Sequence, residues 1–435
     1  MKRKVYETLL KWKNSSHHKP LMVYGARQVG KTYIVKEFGK NEFRNLVYIN
    51  CFNNEAVRQI FDSHPNINAI IEALEAYTSE KIKPGETLIF FDEVQEIPNV
   101  VSYLKYFCED RPDLYVVAAG SLLGVMNMEK VTFPTGKVEI VHVYPMTFDE
   151  FLWAMGEVQK SDLLNSDNEP ALNSLIPVYI NLLRQYYYVG GMPEVVKNFI
   201  ENKDLDEVRQ IQLNILEAYQ ADISKHAGKD AVKARGVLQS IPSQLARENK
   251  KFIFGAVRKG ARAAEYENAI QWLVDAGMIY KVERVTKAAI PLKFYADKNA
   301  FKLFLLDVGL LGALSQTPAS AILVANNIFA EYKGAFTENY VLTQIKPIRD
   351  IVIGYYTKDN SSVEIDFIVQ QGDLLAAVEV KAEENVKSKS LRQFVTIDNA
   401  DTDLIGLRLS MKGFADQGWM KNKPLFAAVQ NDKLL

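Results

Sequence analysis

Cysteine is nearly absent from this chain: two in 435 residues, Cys51 and Cys108, with no CxxC pair and no histidine cluster nearby. The sequence therefore predicts neither a zinc site nor a disulfide framework. Long apolar runs are missing too, and none approaches the ~20 residues that cross a bilayer. The N-terminus, MKRKVYETLLKWK, is basic but lacks the apolar segment of a secretory signal. The expectation is a cytoplasmic protein with no membrane partner. The basic start reads as the solvated face of a short helix that turns Val5, Leu9, Leu10 and Trp12 inward. A surplus of charge is also lacking, since 52 Lys and Arg face 53 Asp and Glu for a net −1. Total charge thus argues neither for nor against nucleic acid, and local clusters must decide. There is no internal repeat and no low-complexity segment.

What is present is length enough for roughly two to four domains and 48% hydrophobic residues, the balance of a soluble folded chain. From 20 to 145, short apolar strands alternate with amphipathic stretches. The strands are expected at Leu21–Tyr24, Leu46–Asn50, Thr87–Phe91, Tyr115–Ala119 and Val138–Val143, a pattern that implies a parallel sheet covered on both faces. Directly after the first strand comes Gly25-Ala26-Arg27-Gln28-Val29-Gly30-Lys31-Thr32, a GxxxxGK[ST] loop that opens a helix. Its glycines let successive N–H groups face phosphates at a helix N-terminus, with Tyr33 next in line. Lys31 is expected at the β- and γ-phosphates of ATP, and Thr32 on Mg²⁺. Thr87-Leu-Ile-Phe-Phe then delivers Asp92 and Glu93 to the carboxyl end of the sheet, where ligands of open α/β folds bind. Asp92 would hold the metal and Glu93 would polarise the attacking water. Ser121, after the strand Tyr115–Ala119, reads either as a γ-phosphate sensor or as a helix cap.

The ordered segments GARQVGKT, FFDEVQEIP, AAGSLLG, YPMTFDEF and YYYVGGMPEVV resemble the bacterial AAA-type ATPases that carry a DUF4143 C-terminal region, over essentially the whole chain. The resemblance implies a P-loop ATPase. Many such proteins have Gly-Arg shortly before the PMTF-like segment, whereas here Gly136-Lys137 stands there. Lys137 brings charge without the planar guanidinium fork. The arginine finger is thus left open, with Arg27 and Arg111 as fallbacks and self-association as another source.

The remainder divides by pattern. Phe148 to about Ile223 is helical and aromatic, with 165–174 expected as an exposed loop. Gly190-Gly191-Met192-Pro193 is expected as a turn packed against the ATPase domain. Several short helices follow, ending near Gly277, and then two strands, Val282–Val285 and Lys293–Ala296, the plan of a winged helix. Between Lys225 and Arg262 the chain has ten basic residues against Asp230 and Glu248 alone, the footprint of phosphate binding and so of DNA. The last part starts with a helix, Phe329 to Ile345, and then strands at 351–357, 363–369 and 374–381. Glu379 and Lys381 share one strand face, with Asp366 on the neighbouring strand and Glu338 on the helix. This D-x(12)-ExK arrangement resembles the restriction-endonuclease-like fold, in which such carboxylates bind a second Mg²⁺ or Mn²⁺ for phosphodiester cleavage.

The expected fold is therefore α/β and multidomain: a P-loop NTPase parallel sheet (1–147), a helical connector (148–228), a winged helix (229–324) and an α/β restriction-endonuclease-like domain (325–435). The expected function is Mg²⁺-dependent ATP hydrolysis coupled to DNA binding. Two alternatives stand beside it: an ATP-regulated metal-dependent nuclease, and a non-cleaving ATP switch that binds protein partners.

Overall fold

The computed structural model of the chain describes residues 1–63, 66–120, 134–247, 250–323, 333–358, 363–382 and 387–434. They form two compact units, Met1–Tyr144 with Asp275–Gly277, and Pro145–Val274 with Met278–Leu435. Among the described residues no helix is long and apolar enough to cross a membrane.

The first unit holds β1 (Leu21–Tyr24), β2 (Asn45–Asn50), β3 (Thr87–Asp92), β4 (Tyr115–Gly120) and β5 (Glu139–His142). The sheet order is β2-β3-β4-β1-β5, and every pair is parallel. Near-continuous apolar strands suit this arrangement, because both faces are covered by crossover helices. β1 and β3 are buried at every position. The helices are α1 (Val5–Lys13), α2 (Lys31–Glu42), α3 (Glu55–Ser63), α4 (Ile67–Thr78) and α5 (Pro98–Asp110). Under α3, α4 and α5 the core is aromatic, with Phe61 edge-on to Phe91 at 5.6 Å and Phe107 beside Phe91. α1 buries Leu9 and Trp12, whereas Val5 and Leu10 are only half-buried.

The second unit combines helices with one eight-stranded sheet, ordered β12-β13-β11-β10-β9-β8-β6-β7. Its strands are β6 (Ile279–Val285), β7 (Ala296–Leu305), β8 (Ile351–Thr357), β9 (Glu364–Gln371), β10 (Leu374–Val380), β11 (Ile405–Ser410), β12 (Ala415–Asp416) and β13 (Lys421–Pro424). β8, β9 and β10 form an antiparallel meander, and β11 joins parallel to β10. Before β6 come α8 (Ala231–Leu245), a single turn at Phe254–Val257 and α9 (Ala263–Asp275), all after α6 (Ile176–Val189) and α7 (Leu205–His226). α10 (Val308–Leu314) and α11 (Lys333–Ile345) complete the parts used below.

Three details differ from the sequence reading. The second hairpin strand begins at Ala296, where it was expected to end, because Leu292–Tyr295 forms a 3₁₀ turn. The hairpin is also no free projection, since β6 pairs with β8 through Glu283 and Arg284. One sheet thus runs through 279–305 and 351–424. Finally, 165–174 contains a helix, Glu169–Ser174, started by Pro170 and by an Asn168 side chain that accepts the Ala171 N–H at 3.1 Å.

The Gly190-Gly191 break has a tight local cause. A side chain on Gly191 would collide with the carbonyl oxygen of Met146, and one on Gly190 with the Asp307 carboxylate. Buried Asp307 accepts the Gly191 N–H at 2.6 Å and caps α10 through the Leu310 N–H at 2.9 Å. The turn is therefore locked inside the second unit by the Asp307 carboxylate together with the Met146 N–H, which donates to the Gly191 carbonyl at 2.7 Å.

Candidate functional sites

The loop between β1 and α2 is shaped by sterics first. Gly25 abuts the Val143 carbonyl oxygen with no room for a Cβ, and Gly30 turns at φ +90°, a region that favours glycine. Gln28 and Glu93 adopt φ +66° and +52° without being glycine, a small backbone strain of the kind that clusters at functional sites. Lys31 Nζ donates to the carbonyls of Gly25 (3.0 Å) and Ala26 (2.8 Å), which places an ammonium inside the loop's curl. Burial pulls its pKa down to about 8 against the opposing charges of Glu93 and Asp92. The Thr32 hydroxyl donates to Asp92 Oδ2 at 2.8 Å, and the Tyr48 hydroxyl reaches the same oxygen at 3.2 Å. Asp92 itself is buried, and that desolvation raises its pKa. Glu93 follows at the strand tip and accepts from the Gln95 amide. The arrangement can bind phosphate oxygens, with a hydroxyl and a carboxylate paired alongside.

The C-terminal cluster is real but differently charged than expected. The β9–β10 register places Val378 opposite Phe367, so Glu379 falls opposite Asp366, whose Oδ2 accepts the Val380 N–H at 2.7 Å. Lys381 Nζ lies 3.2 Å from Glu379 Oε1. Glu338 is buried on α11, close enough to Asp366 for each carboxyl to influence the other's titration. Two lysines that the motif did not include enter this group. Lys250 is ion-paired with Glu338. Lys302 on β7 is 0% exposed, 2.9 Å from Glu364 Oε1 and 3.9 Å from Glu338 Oε2. The acid pair splits its titration. Burial opposes the charge of Glu338, yet Lys250 and Lys302 hold its pKa below the ordinary carboxylate range. Burial and the Glu338 charge push that of Asp366 up. Glu338 Oε2 and Glu379 Oε2 remain without an N–H or O–H donor.

Comparison with known proteins separates the two ends of the chain. Residues 17–152 match the AAA domain family. Most of the first unit lies within this AAA domain match, which supports ATP binding by the chain. Residues 180–321 and 333–421 match two domains of unknown function, DUF8612 and DUF4143. No curated protein matches the chain. Similar solved structures include the Walker-type ATPase PABY2304 of Pyrococcus abyssi, at 14% identity and TM-score 0.45 over 72% of this chain and 95% of that one. The Aeropyrum pernix ORC1 protein in complex with DNA aligns at 14% identity and TM-score 0.29, over 74% of this chain and 93% of that one. Cdc6p from Pyrobaculum aerophilum aligns at 12% identity and TM-score 0.26, over 73% and 94%.

Within the AAA domain, Lys31, Thr32, Asp92 and Glu93 come together at the carboxyl ends of β1 and β3. Tyr33 is half exposed at the surface of α2, where its hydroxyl accepts from the N-terminal amine. Ser121 lies outside the described residues. Arg111 grips Asp113 with two bonds of 2.9 and 2.8 Å just before β4, and Lys137 pairs with Glu109 at 2.9 Å just before β5. Both positions precede the amino ends of their strands, so neither is placed to act as a finger in cis. Arg27 stays in the loop, where its charge depresses the proton affinity of Lys31. Two residues escaped the sequence reading. Arg3 is buried rather than solvated, donating to the Val29 carbonyl at 3.1 Å and to that of Tyr144 at 2.6 Å, and Tyr48 reaches Asp92. No local motif marks either one.

The second Mg²⁺ or Mn²⁺ expected among Glu338, Asp366 and Glu379 is not supported. No group of three or more His, Cys, Asp and Glu is arranged to hold a metal among the described residues. Lys250 and Lys302 already supply the positive charge that a cation would bring.

Proposed function

We propose that the chain hydrolyses ATP with Mg²⁺ and that its nucleotide state governs binding to DNA. The observation that carries the ATP half is the partly buried Thr32–Asp92 hydrogen bond beside the Lys31 ammonium. A hydroxyl and a carboxylate aimed at one point, next to a phosphate-facing lysine, are a donor set that fits magnesium. Thr32 and Asp92 would hold the ion, which when bound neutralises charge between the β- and γ-phosphates. Lys31 would move from the Gly25 and Ala26 carbonyls to the phosphates. Glu93 would then orient the attacking water, once the Gln95 amide releases it.

Support for the DNA half is local charge. Of the ten basic residues between 225 and 262, against two acids, Lys250, Lys233 and Arg258 are ion-paired with Glu338, Asp230 and Glu265. The other seven would neutralise phosphates, on a three-helix-and-hairpin segment of the winged-helix type. The absence of a finger candidate in cis at Arg111 or Lys137 favours one supplied by a second copy of the chain. A direct test is phosphate release by wild type and Glu93→Gln, with and without single- and double-stranded DNA. Glu93-dependent turnover that DNA accelerates supports the whole reading. Glu93-dependent turnover with equal DNA affinity in ATP, ADP and nucleotide-free states removes the coupling and favours the protein-binding switch.

A second reading, an ATP-regulated nuclease, draws on Asp366, Glu379 and Lys381 meeting across paired strands. It ranks lower because Lys250 and Lys302 compensate the carboxylates. Mn²⁺-dependent cutting lost in both Asp366→Ala and Lys381→Ala would reverse that order.

A further inference from the structure

The β6–β7 connection holds an aromatic ring in solvent above a fixed backbone. Residues 286–295 read Thr-Lys-Ala-Ala-Ile-Pro-Leu-Lys-Phe-Tyr. Ala288 and Leu292 are buried in a core that also contains Val285, Ile365 and Ile368. The Leu292 N–H donates to Gln370 Oε1 at 2.8 Å, and the Thr286 N–H to the Tyr295 carbonyl at 2.9 Å. Between these anchors Ile290 is 41% and Phe294 84% exposed. A phenylalanine left in water forgoes roughly 2 kcal/mol of burial. With both anchors in place the loop cannot fold this one inward.

The charge around the ring has one sign. The loop contains no acid, and Lys287 and Lys293 are both exposed. The nearby acids are engaged, Asp297 with Arg284 at 2.8 Å and Glu283 with Lys281 at 3.1 Å. Lys346, whose Nζ lies 5.9 Å from the centre of the Tyr280 ring, has its pKa lowered by burial first and then by the charge of Lys293. Lys287 reaches over the Tyr295 ring at 5.9 Å, and a flat exposed ring flanked by two exposed lysines complements an unpaired base with its adjacent phosphates. An acid-rich or purely apolar protein surface would match only half of this.

We propose that the 286–295 loop contacts single-stranded nucleic acid, with Phe294 stacked on a base and Lys287 and Lys293 on flanking phosphates. This rests on the DNA reading above and goes beyond it by naming the strand state and the contact. Base–aromatic stacking contributes ~1–3 kcal/mol per base, so losing the ring weakens binding by roughly 5- to 150-fold.

The test uses the full chain, wild type against Phe294→Ala and Phe294→Trp, with a single-stranded oligonucleotide containing 2-aminopurine. The expected result is quenching and tight binding by wild type and Phe294→Trp. Phe294→Ala should show at least about five-fold weaker affinity without quenching, with basal ATP turnover and thermal midpoint unchanged. Lys287→Glu with Lys293→Glu should weaken binding and flatten its salt dependence. If wild type binds the oligonucleotide and Phe294→Ala binds it equally well, this proposal fails while the DNA reading survives. If wild type binds neither single- nor double-stranded DNA, both fall. If Phe294→Ala instead dissolves a self-associated form without touching DNA affinity, the ring faces protein and the proposal is overturned.

Discussion

Thr32 and Asp92 share a 2.8 Å hydrogen bond at the carboxyl end of the sheet, from residues 60 apart in the chain. Because Asp92 is desolvated and its pKa raised, the pair is poised to exchange its proton contact for a divalent cation. Asp92→Asn should therefore keep the fold and retain binding of ATP without metal. Magnesium-dependent phosphate release should drop by about 10² or more, the scale of losing one preorganised charge. Chelation of magnesium by EDTA should do the same to wild type. Turnover by Asp92→Asn at the wild-type rate would remove this residue from the metal site.

Lys31 gives a pH signature. Its folded pKa, near 8, lies below the ordinary lysine value because of burial. Below pH 8 the ammonium is charged and ready for phosphate. Above it, the nucleotide-free protein loses the charge and must take up a proton to bind. ATP affinity should stay level to about pH 7.5 and then weaken, at most about ten-fold per pH unit. Calorimetry at pH 8.5 in two buffers of different ionisation enthalpy should detect the proton. In Lys31→Ala both the pH step and the uptake should vanish, at weaker overall affinity.

Lys302 is a buried cation among acids, and such pairs punish the loss of one partner. Lys302→Met should cost on the order of 3–5 kcal/mol, because Glu364 loses its ion-pair partner and buried Glu338 keeps Lys250 alone. Adding Glu338→Gln to Lys302→Met should recover part of that loss, a non-additivity expected only of groups in contact. Urea unfolding followed by Trp419 fluorescence would measure both. If the double variant is as unstable as the summed single variants, the lysine does not act as the counter-cation.

Legibility in the sequence followed the range of the forces involved. The AAA strands were readable to within a residue or two, because Thr87-Leu-Ile-Phe-Phe and its neighbours are continuous apolar runs that only a covered parallel sheet accepts. The phosphate loop was readable because its glycines, Lys31 and Thr32 are adjacent in sequence. Residues that reach the site across the fold were not, since Arg3 and Tyr48 act through single long-range hydrogen bonds. At the C-terminal end, Glu338, Asp366, Glu379 and Lys381 were found by spacing and do converge. Their charge state could not be read, because Lys250 and Lys302 arrive from segments 60 or more residues away in sequence from Asp366. The pairing of β6 with β8 could not be read for the same reason, since β8 begins at Ile351.

Asp307 and Gly191 make the last prediction, and it concerns stability rather than catalysis. Burial raises the Asp307 pKa to about 6, although three backbone N–H groups pull it down. The unfolded value is near 3.9, so the folded state holds the proton more tightly. The sign follows: this group's contribution is fully present below about pH 4 and is lost as pH rises through about 6. Glu338, with its lowered pKa, opposes it at the acid end, because its contribution is lost as pH falls through its folded value. Their combination makes the second unit most stable near about pH 4 to 4.5, with stability falling as pH rises from there through about 6. Urea midpoints should therefore be higher at pH 5.5 than at pH 8, by a free energy on the order of 1–3 kcal/mol. In Asp307→Asn that difference should shrink, while overall stability falls because an amide has only one oxygen to accept from Gly191 and to cap α10. Gly191→Ala, by contrast, should destabilise by about 1–3 kcal/mol or more at every pH, since its methyl meets the Met146 carbonyl whatever the charge on Asp307. A pH profile for Asp307→Asn that parallels wild type would assign the titration to another group.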